Sequence, residues 1–413
     1  MAVLDVRNLR YYYRTRRGAV KAVDDVSFSV DSARTLALVG ESGCGKTSTA
    51  TAILRLLPRN VDTYEGQVFL DDQDIMAYDN EEFREKVRWR GISMVFQGAM
   101  NALSPTSRCG HQVAEPLMVH YEAEKEEALA AAREALTGVG LPDYVADRYP
   151  HELSGGMKQR VVIAMALVMK PRMVILDEPT SALDVMTQAN IINLLKRLQR
   201  ETRLAYLFIT HDLGLASELA SEVAIMYAGR IAEIGSAARV YTSPQHPYTQ
   251  KLIQSVPLLR KEEAPDFIPG APPDLTNVPH GCRFHPRCPY AFEPCGWSSA
   301  ELAAIFAGET DALEAADLRL LGVAKFEASD PRTLVLSPVR GTPASSLSSA
   351  LHEIVATRRS SVPCLRAIEG VHERDGRVVV RLRAAEMPEL MGEDEQRAAC
   401  WLLKERGKAA AAG

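Results

Sequence analysis

The sequence predicts an α/β protein: a largely parallel sheet covered by helices, with an antiparallel β-subdomain beside it and an irregular C-terminal appendage. Three observations carry this reading. Short apolar runs alternate with helix-period segments over the first two thirds of the chain. A glycine-rich stretch from Gly40 to Thr47 (GESGCGKT) lies between a strand-like run and a helix-like one. From residue 244 to 294 proline is dense and regular periodicity fades.

Taken in order, residues 3–9 and 67–70 read as strands of the antiparallel part. Residues 35–40 form a continuous apolar run, the pattern of a strand buried on both faces. Residues 47–57 read as a helix with Pro58 as its stop. Further short strands are expected at 92–96, 173–177, 205–209 and 223–227. Helices are expected at 125–137, 155–169 and 185–201, each with apolar residues three and four apart. Beyond residue 235 the proline-dense stretch predicts a loop-rich appendage. Residues 300–383 regain helix-like and strand-like texture, with 377–383 an alternating strand and a serine-rich break at 345–349. Residues 408–413 read as a frayed tail.

Composition narrows the function classes. The chain has 413 residues, 46% hydrophobic and 24% charged, which excludes collagen-like and wholly disordered readings. A net charge of -5 is unsuited to a chain whose main task is neutralising nucleic-acid phosphates. The longest apolar run, 161–169, is too short for a spanning helix, which needs about 20 residues. The N-terminus lacks the pattern of a secretory signal, so a cytoplasmic setting or the membrane's cytoplasmic face is expected. Seven cysteines in a reducing compartment are read first as metal ligands rather than as a disulfide framework.

Two motifs carry nucleotide chemistry. In the Gly40 to Thr47 stretch the glycines let backbone N–H groups turn toward phosphate oxygens, and the following helix adds its dipole. Lys46 is placed to reach the β and γ phosphates and Thr47 to hold Mg²⁺. The run 173–177 is an apolar strand ending in Asp177 and Glu178, at the edge where ligands bind in doubly wound sheets. Asp177 suits Mg²⁺, and Glu178 suits polarising a water for attack on the γ phosphate.

Residues 153–159 (LSGGMKQ), about twenty before those acids, resemble the signature motif of ATP-binding cassette (ABC) ATPases. Phe96-Gln97 resembles the Q-loop, residues 181–184 the D-loop and residues 209–212 the switch histidine, all in the family's order. The resemblance implies a P-loop NTPase of the ABC type, with a mixed sheet core, an antiparallel β-subdomain and a helical subdomain at about 98–170. It implies ATP and Mg²⁺ bound by Gly40, Ser42, Gly43, Cys44, Gly45, Lys46, Thr47, Ser48, Gln97 and Asp177, with Mg²⁺ on Thr47, Gln97 and Asp177. Glu178, His211 and Gln97 are then the catalytic set. Ser154, Gly155, Gly156 and Asp184 would act in trans on the nucleotide of a partner ATPase. For adenine stacking the chain offers Tyr11, Tyr12 and Tyr13, and the pattern favours Tyr13.

Residues 14–24, 97–105, 244–249 and 281–290 are similar to ATPases of dipeptide and oligopeptide importers. This implies an ATP-hydrolysing subunit at the cytoplasmic face of the membrane, paired with a second, related but different ATPase chain. It also implies two integral membrane permeases and an extracytoplasmic binding protein, and no nucleic acid. Within transport, nickel and oligosaccharide importers use similar ATPases. Outside it, a non-transport ABC ATPase with a regulatory iron–sulfur site is the competing class. Cys282, Cys288 and Cys295, with Cys400 in a matching terminal segment, resemble the subfamily's four cysteines, which implies a [4Fe-4S] cluster, with Zn²⁺ the alternative. Cys364 competes as fourth ligand. The expected division is a cassette at 1–235, an extension at 236–297, an insert at 298–387 that folds as a small α+β module, and a terminal segment at 388–413. The insert interrupts the subfamily's cysteine spacing and carries no recognisable motif.

Overall fold

A computed structural model describes residues 2–255, 268, 270–309, 318–393 and 395–404. The tail at 408–413 lies outside them. The chain divides into two compact units, 1–241 and 242–413.

In the first unit, β1 (Ala2–Thr15) and β2 (Gly18–Asp31) open the chain as an antiparallel pair. β3 (Thr35–Val39) leads through the glycine-rich turn into α1 (Lys46–Ile53). β4 (Val61–Leu70) and β5 (Gln73–Asp74) complete an antiparallel sheet of order β2-β1-β4-β5. After α2 (Asn80–Lys86) and β6 (Ile92–Val95) comes the helical part, α3 (Cys109–His120), α4 (Lys125–Gly138) and α5 (Gly155–Leu167). The chain then alternates through β7 (Met173–Asp177), α6 (Val185–Thr202), β8 (Ala205–Thr210), α7 (Leu213–Leu219), β9 (Glu222–Tyr227) and β10 (Arg230–Ser236), followed by α8 (Ala237–Thr242). Within this unit the second sheet runs β10-β9-β3-β8-β7-β6, parallel except for β10. Every residue of β3, β7 and β8 is buried, which explains why their sequences are continuous apolar runs rather than alternating ones. All three present their C-terminal ends at the same edge, where the glycine-rich turn, Glu178 and His211 follow.

Several expected boundaries move. α1 stops at Ile53 because Arg55 turns left-handed (φ 49°), well before Pro58. β1 runs past Leu9, where register shifts let the pairing continue to Thr15.

In the second unit, α9 (Pro247–Gln254) precedes a cysteine-bearing loop. It is followed by α10 (Ser299–Ala307), β11 (Val323–Asp330), β12 (Thr333–Pro338), α11 (Ala344–Arg358), α12 (Pro363–Arg366), β13 (Ile368–Arg374) and β14 (Arg377–Leu382). The strands form an antiparallel sheet of order β11-β12-β14-β13, and β15 (Met391–Glu393) pairs with β16 (Gln396–Ala398). The serine-rich stretch is no break: it lies in the first turns of α11, where Leu347 and Leu351, four apart, are both buried. The cysteine loop and the segment expected to be a separate insert share one apolar core. Cys295 and Trp297 pack in it with Leu302, Leu336, Val380 and Leu382.

Candidate active site

The glycine-rich turn is shaped by two steric limits. At Gly45 (φ 110°) a Cβ would stand 2.0 Å from the Ala22 carbonyl oxygen, and at Gly40 one would stand 2.2 Å from that of Met226. Gly43 (φ 79°) faces open space. Ser42, Gly43 and Thr47 are exposed, Ser48 is half-buried, and Cys44, Gly45 and Lys46 are buried. The result is an open rim over a rigid base. Lys46 Nζ donates to the loop's own carbonyls, Gly40 at 2.8 Å and Glu41 at 3.0 Å, so its charge is held inside the cradle that phosphates would enter. Burial pushes the Cys44 thiol up.

Asp177 ends β7 almost fully buried, and among the described residues neither carboxylate oxygen has a well-formed hydrogen bond. Burial raises its pKa. The nearby Thr47 hydroxyl and Lys46 ammonium oppose this, and Glu178 adds to it. A buried carboxylate beside a hydroxyl, lacking a full set of donors, is the chemistry of a cation site, so the residues present fit Mg²⁺.

Glu178 follows in the left-handed region (φ 47°), its backbone N–H donating to Ile209 at 2.9 Å. That turn aims its side chain between two others. Gln97 Nε2 donates to Oε2 at 2.9 Å, and His211 Nδ1 lies 2.9 Å from Oε1. The three residues predicted as catalytic thus meet around one carboxylate, delivered by the ends of β6, β7 and β8. Of the three N-terminal tyrosines, Tyr11 is buried, the Tyr12 hydroxyl is bonded to Asp24, and Tyr13 stands half-buried on β1.

The residues expected to act in trans sit at two other helix starts. Ser154 N-caps α5, its hydroxyl accepting from the Met157 N–H at 3.4 Å, and Ser154 and Gly155 are exposed. At Gly156 a Cβ would come within 2.7 Å of the Thr187 methyl. Asp184 N-caps α6, accepting from the Thr187 N–H at 2.9 Å and its hydroxyl at 2.7 Å. These bonds hold its carboxyl below the usual carboxylate range.

In the second unit Cys282, Cys288, Cys295 and Cys400 line one pocket with His246 and Trp401. Cys364 is not on its wall but buried in the shared core. Burial and neighbouring thiols push Cys282 well up; burial foremost, with the Cys400 thiol adding, pushes Cys288 to about 12 and Cys295 to about 11. The metal expectation at these cysteines finds no support here: among the described residues no group of three or more His, Cys, Asp or Glu side chains is arranged to hold a metal ion. The two findings differ because a pocket wall can be shared by side chains that do not converge on a point, as ligands of a single ion must. Sequence reasoning gave no role to His246 or His285, both buried at the pocket. The available signal was His246-Pro247, a helix-start pair.

No helix among the described residues is long and apolar enough to cross a membrane. The family described as ABC transporter matches residues 23–181, and the one described as the oligopeptide/dipeptide transporter C-terminal region matches residues 232–295. A putative peptide import ATP-binding protein of Brucella melitensis is 45% identical over 73% of this chain and 94% of its own length. The oligopeptide transport ATP-binding protein OppD of Bacillus subtilis is 43% identical over 70% of this chain and 82% of itself. The dipeptide transport ATP-binding protein DppD of the same organism is 44% identical over 71% and 88%. Among solved structures, a dimeric ATP-binding cassette in a post-hydrolysis state bound to ADP and Pi is 29% identical with a TM-score of 0.50, covering 57% of this chain and 98% of that one.

Proposed function

From the premise that this chain belongs to the ABC transporter family, in its branch of peptide import ATP-binding proteins, we propose that Gln97, Glu178 and His211 form its hydrolytic centre. The protein is the ATPase that powers import of di- or oligopeptides, and it binds ATP and Mg²⁺. The observation that carries the proposal is the Glu178 carboxylate held at 2.9 Å by Gln97 on one oxygen and by His211 on the other.

Glu178 takes the proton of the attacking water, while Gln97 and His211 hold its carboxylate in one orientation. Lys46 exchanges its loop carbonyls for phosphate oxygens when nucleotide enters. Thr47, Asp177 and Gln97 would hold Mg²⁺, which when bound offsets phosphate charge. Tyr13 is the tyrosine left to stack on adenine, and Ser42, Gly43, Cys44, Gly45 and Ser48 complete the phosphate cradle. The α5 start at Ser154, Gly155 and Gly156, with Asp184, closes on the nucleotide of a second ATPase chain, a related but different one. Val185 and Met186, 79% and 74% exposed immediately beyond Asp184, support a partner docking there. Two permeases receive the motion at residues 98–117, next to the exposed Phe96, with an extracytoplasmic binding protein delivering cargo and this chain at the cytoplasmic face.

The cysteine pocket supports a finer reading, a [4Fe-4S] cluster on Cys282, Cys288, Cys295 and Cys400. A cluster places its own iron and sulfide between the thiolates, so its ligands need not converge as zinc ligands must. Its contribution there would be a structural clamp.

The catalytic assignment is tested by Glu178→Gln in the assembled transporter. ATP turnover should fall by about 10²–10⁴, the usual worth of a general base, while ATP binding persists. Turnover within a few-fold of the parent would refute the assignment.

A further inference from the structure

Cys400 reaches its pocket from about a hundred residues beyond Cys295, so closing that loop carries an entropic cost that some bond must offset. Three tethers among the described residues hold the segment. Gln396 Nε2 donates to the Ser243 carbonyl at 2.9 Å, and Trp401 Nε1 to the Glu386 carbonyl at 3.2 Å. The third tether comes from within the pocket wall. His246, 3% exposed, N-caps α9, with Nδ1 accepting the Tyr248 backbone N–H at 3.0 Å. Because Nδ1 accepts that N–H, the ring's proton sits on Nε2. The Nε2–H donates to the backbone carbonyl of Ala399, the residue before Cys400. Phe284, two residues after Cys282, packs against both the His246 ring (5.9 Å between centroids) and the Tyr248 ring (5.3 Å), fixing the imidazole from the side of the cysteine loop.

We propose that His246 is a positioning residue: one ring nitrogen starts α9, the other pins the backbone before Cys400, and together they set the fourth thiol among Cys282, Cys288 and Cys295. The inference deepens the four-thiolate reading and rests on it for the identity of the ligand, but not for the placement of the thiol. It also assigns the fourth place to Cys400 rather than Cys364, since Cys400 lines the pocket and Cys364 packs in the core away from its wall.

Two variants of the full chain separate the two nitrogens. In His246→Asn the amide oxygen replaces Nδ1 as helix cap, while the side chain is too short to reach Ala399. In His246→Gln the amide N–H replaces Nε2. The readouts are melting temperature, site-resolved alkylation of each cysteine by iodoacetamide in metal-free protein, and iron with acid-labile sulfide after anaerobic preparation. The Asn variant should stay folded, alkylate at Cys400 about tenfold faster, the size of one net hydrogen bond, and lose iron and sulfide. Cys282, Cys288 and Cys295 should keep rates near the parent's, and the Gln variant should recover most of the Cys400 protection. An unchanged Cys400 rate in the folded Asn variant overturns the proposal, and so does an equal rise at all four cysteines. If the parent protein holds zinc or no metal, the cluster reading fails, while selective Cys400 exposure in the Asn variant still supports the positioning role.

Discussion

Burial raises the Asp177 pKa above its unfolded value, so between the two values the folded chain binds more protons than the unfolded one. Stability therefore falls as pH rises through that window, and at neutral pH the unliganded protein carries the full cost of a buried charge. Asp177→Asn should raise the melting temperature of nucleotide-free protein at pH 7, change it little below about pH 4, and abolish Mg²⁺-dependent ATP binding. A lower melting temperature at pH 7 would contradict this account of the site. The glycines give a second contrast. Gly43→Ala meets no atom and costs only the left-handed strain of about 1–2 kcal/mol, whereas Gly45→Ala drives a Cβ into the Ala22 carbonyl and should destabilise more. Equal denaturation midpoints for the two would overturn the comparison. At this scale the candidate site residues could be named from motif order, because Gln97, Glu178 and His211 each follow a recognisable apolar strand. Their meeting around one carboxylate was not, since it depends on strands 81 and 33 residues apart becoming neighbours in a sheet.

Helix starts differ in how firmly they are capped, and the difference separates stability from function. Asp184 makes two short bonds to Thr187, while the single Ser154 bond is long at 3.4 Å. Asp184→Ala should cost the isolated chain about 1 kcal/mol in chemical denaturation, and Ser154→Ala clearly less, although both should impair the ATP-driven pairing proposed above. A larger loss from Ser154→Ala would reverse the ranking. Elements with a strong period were readable: α6 and α4 fall within a residue of expectation because their apolar faces are regular. β2 was not, because its polar residues Lys21, Asp24 and Asp25 and its shifted register hide the two-residue alternation. α3 was missed because Pro116 lies within it, which local rules read as a stop.

For the chain as a whole, the shared core of the second unit makes the cysteine loop answer to the packing of residues far along the sequence. Leu382→Ala, at a fully buried position, should cost about 2–5 kcal/mol and speed thiol labelling of Cys282 and Cys295 together. Labelling unchanged despite the lost stability would mean that the strands fold apart from the loop. Segment boundaries drawn from composition could not reveal this dependence, because a shared core is a property of contacts and leaves no local mark. The left-handed backbone at Glu178 reaches further still, into inheritance. Either glutamate codon becomes a glycine codon by one base change, and glycine relieves about 1–2 kcal/mol of local strain there, roughly balancing the freedom it adds to the unfolded chain. If Glu178 has the role proposed above, such a product would fold normally yet hydrolyse ATP far more slowly. On that reading, selection would guard this position through transport, since folding gives no warning of its loss.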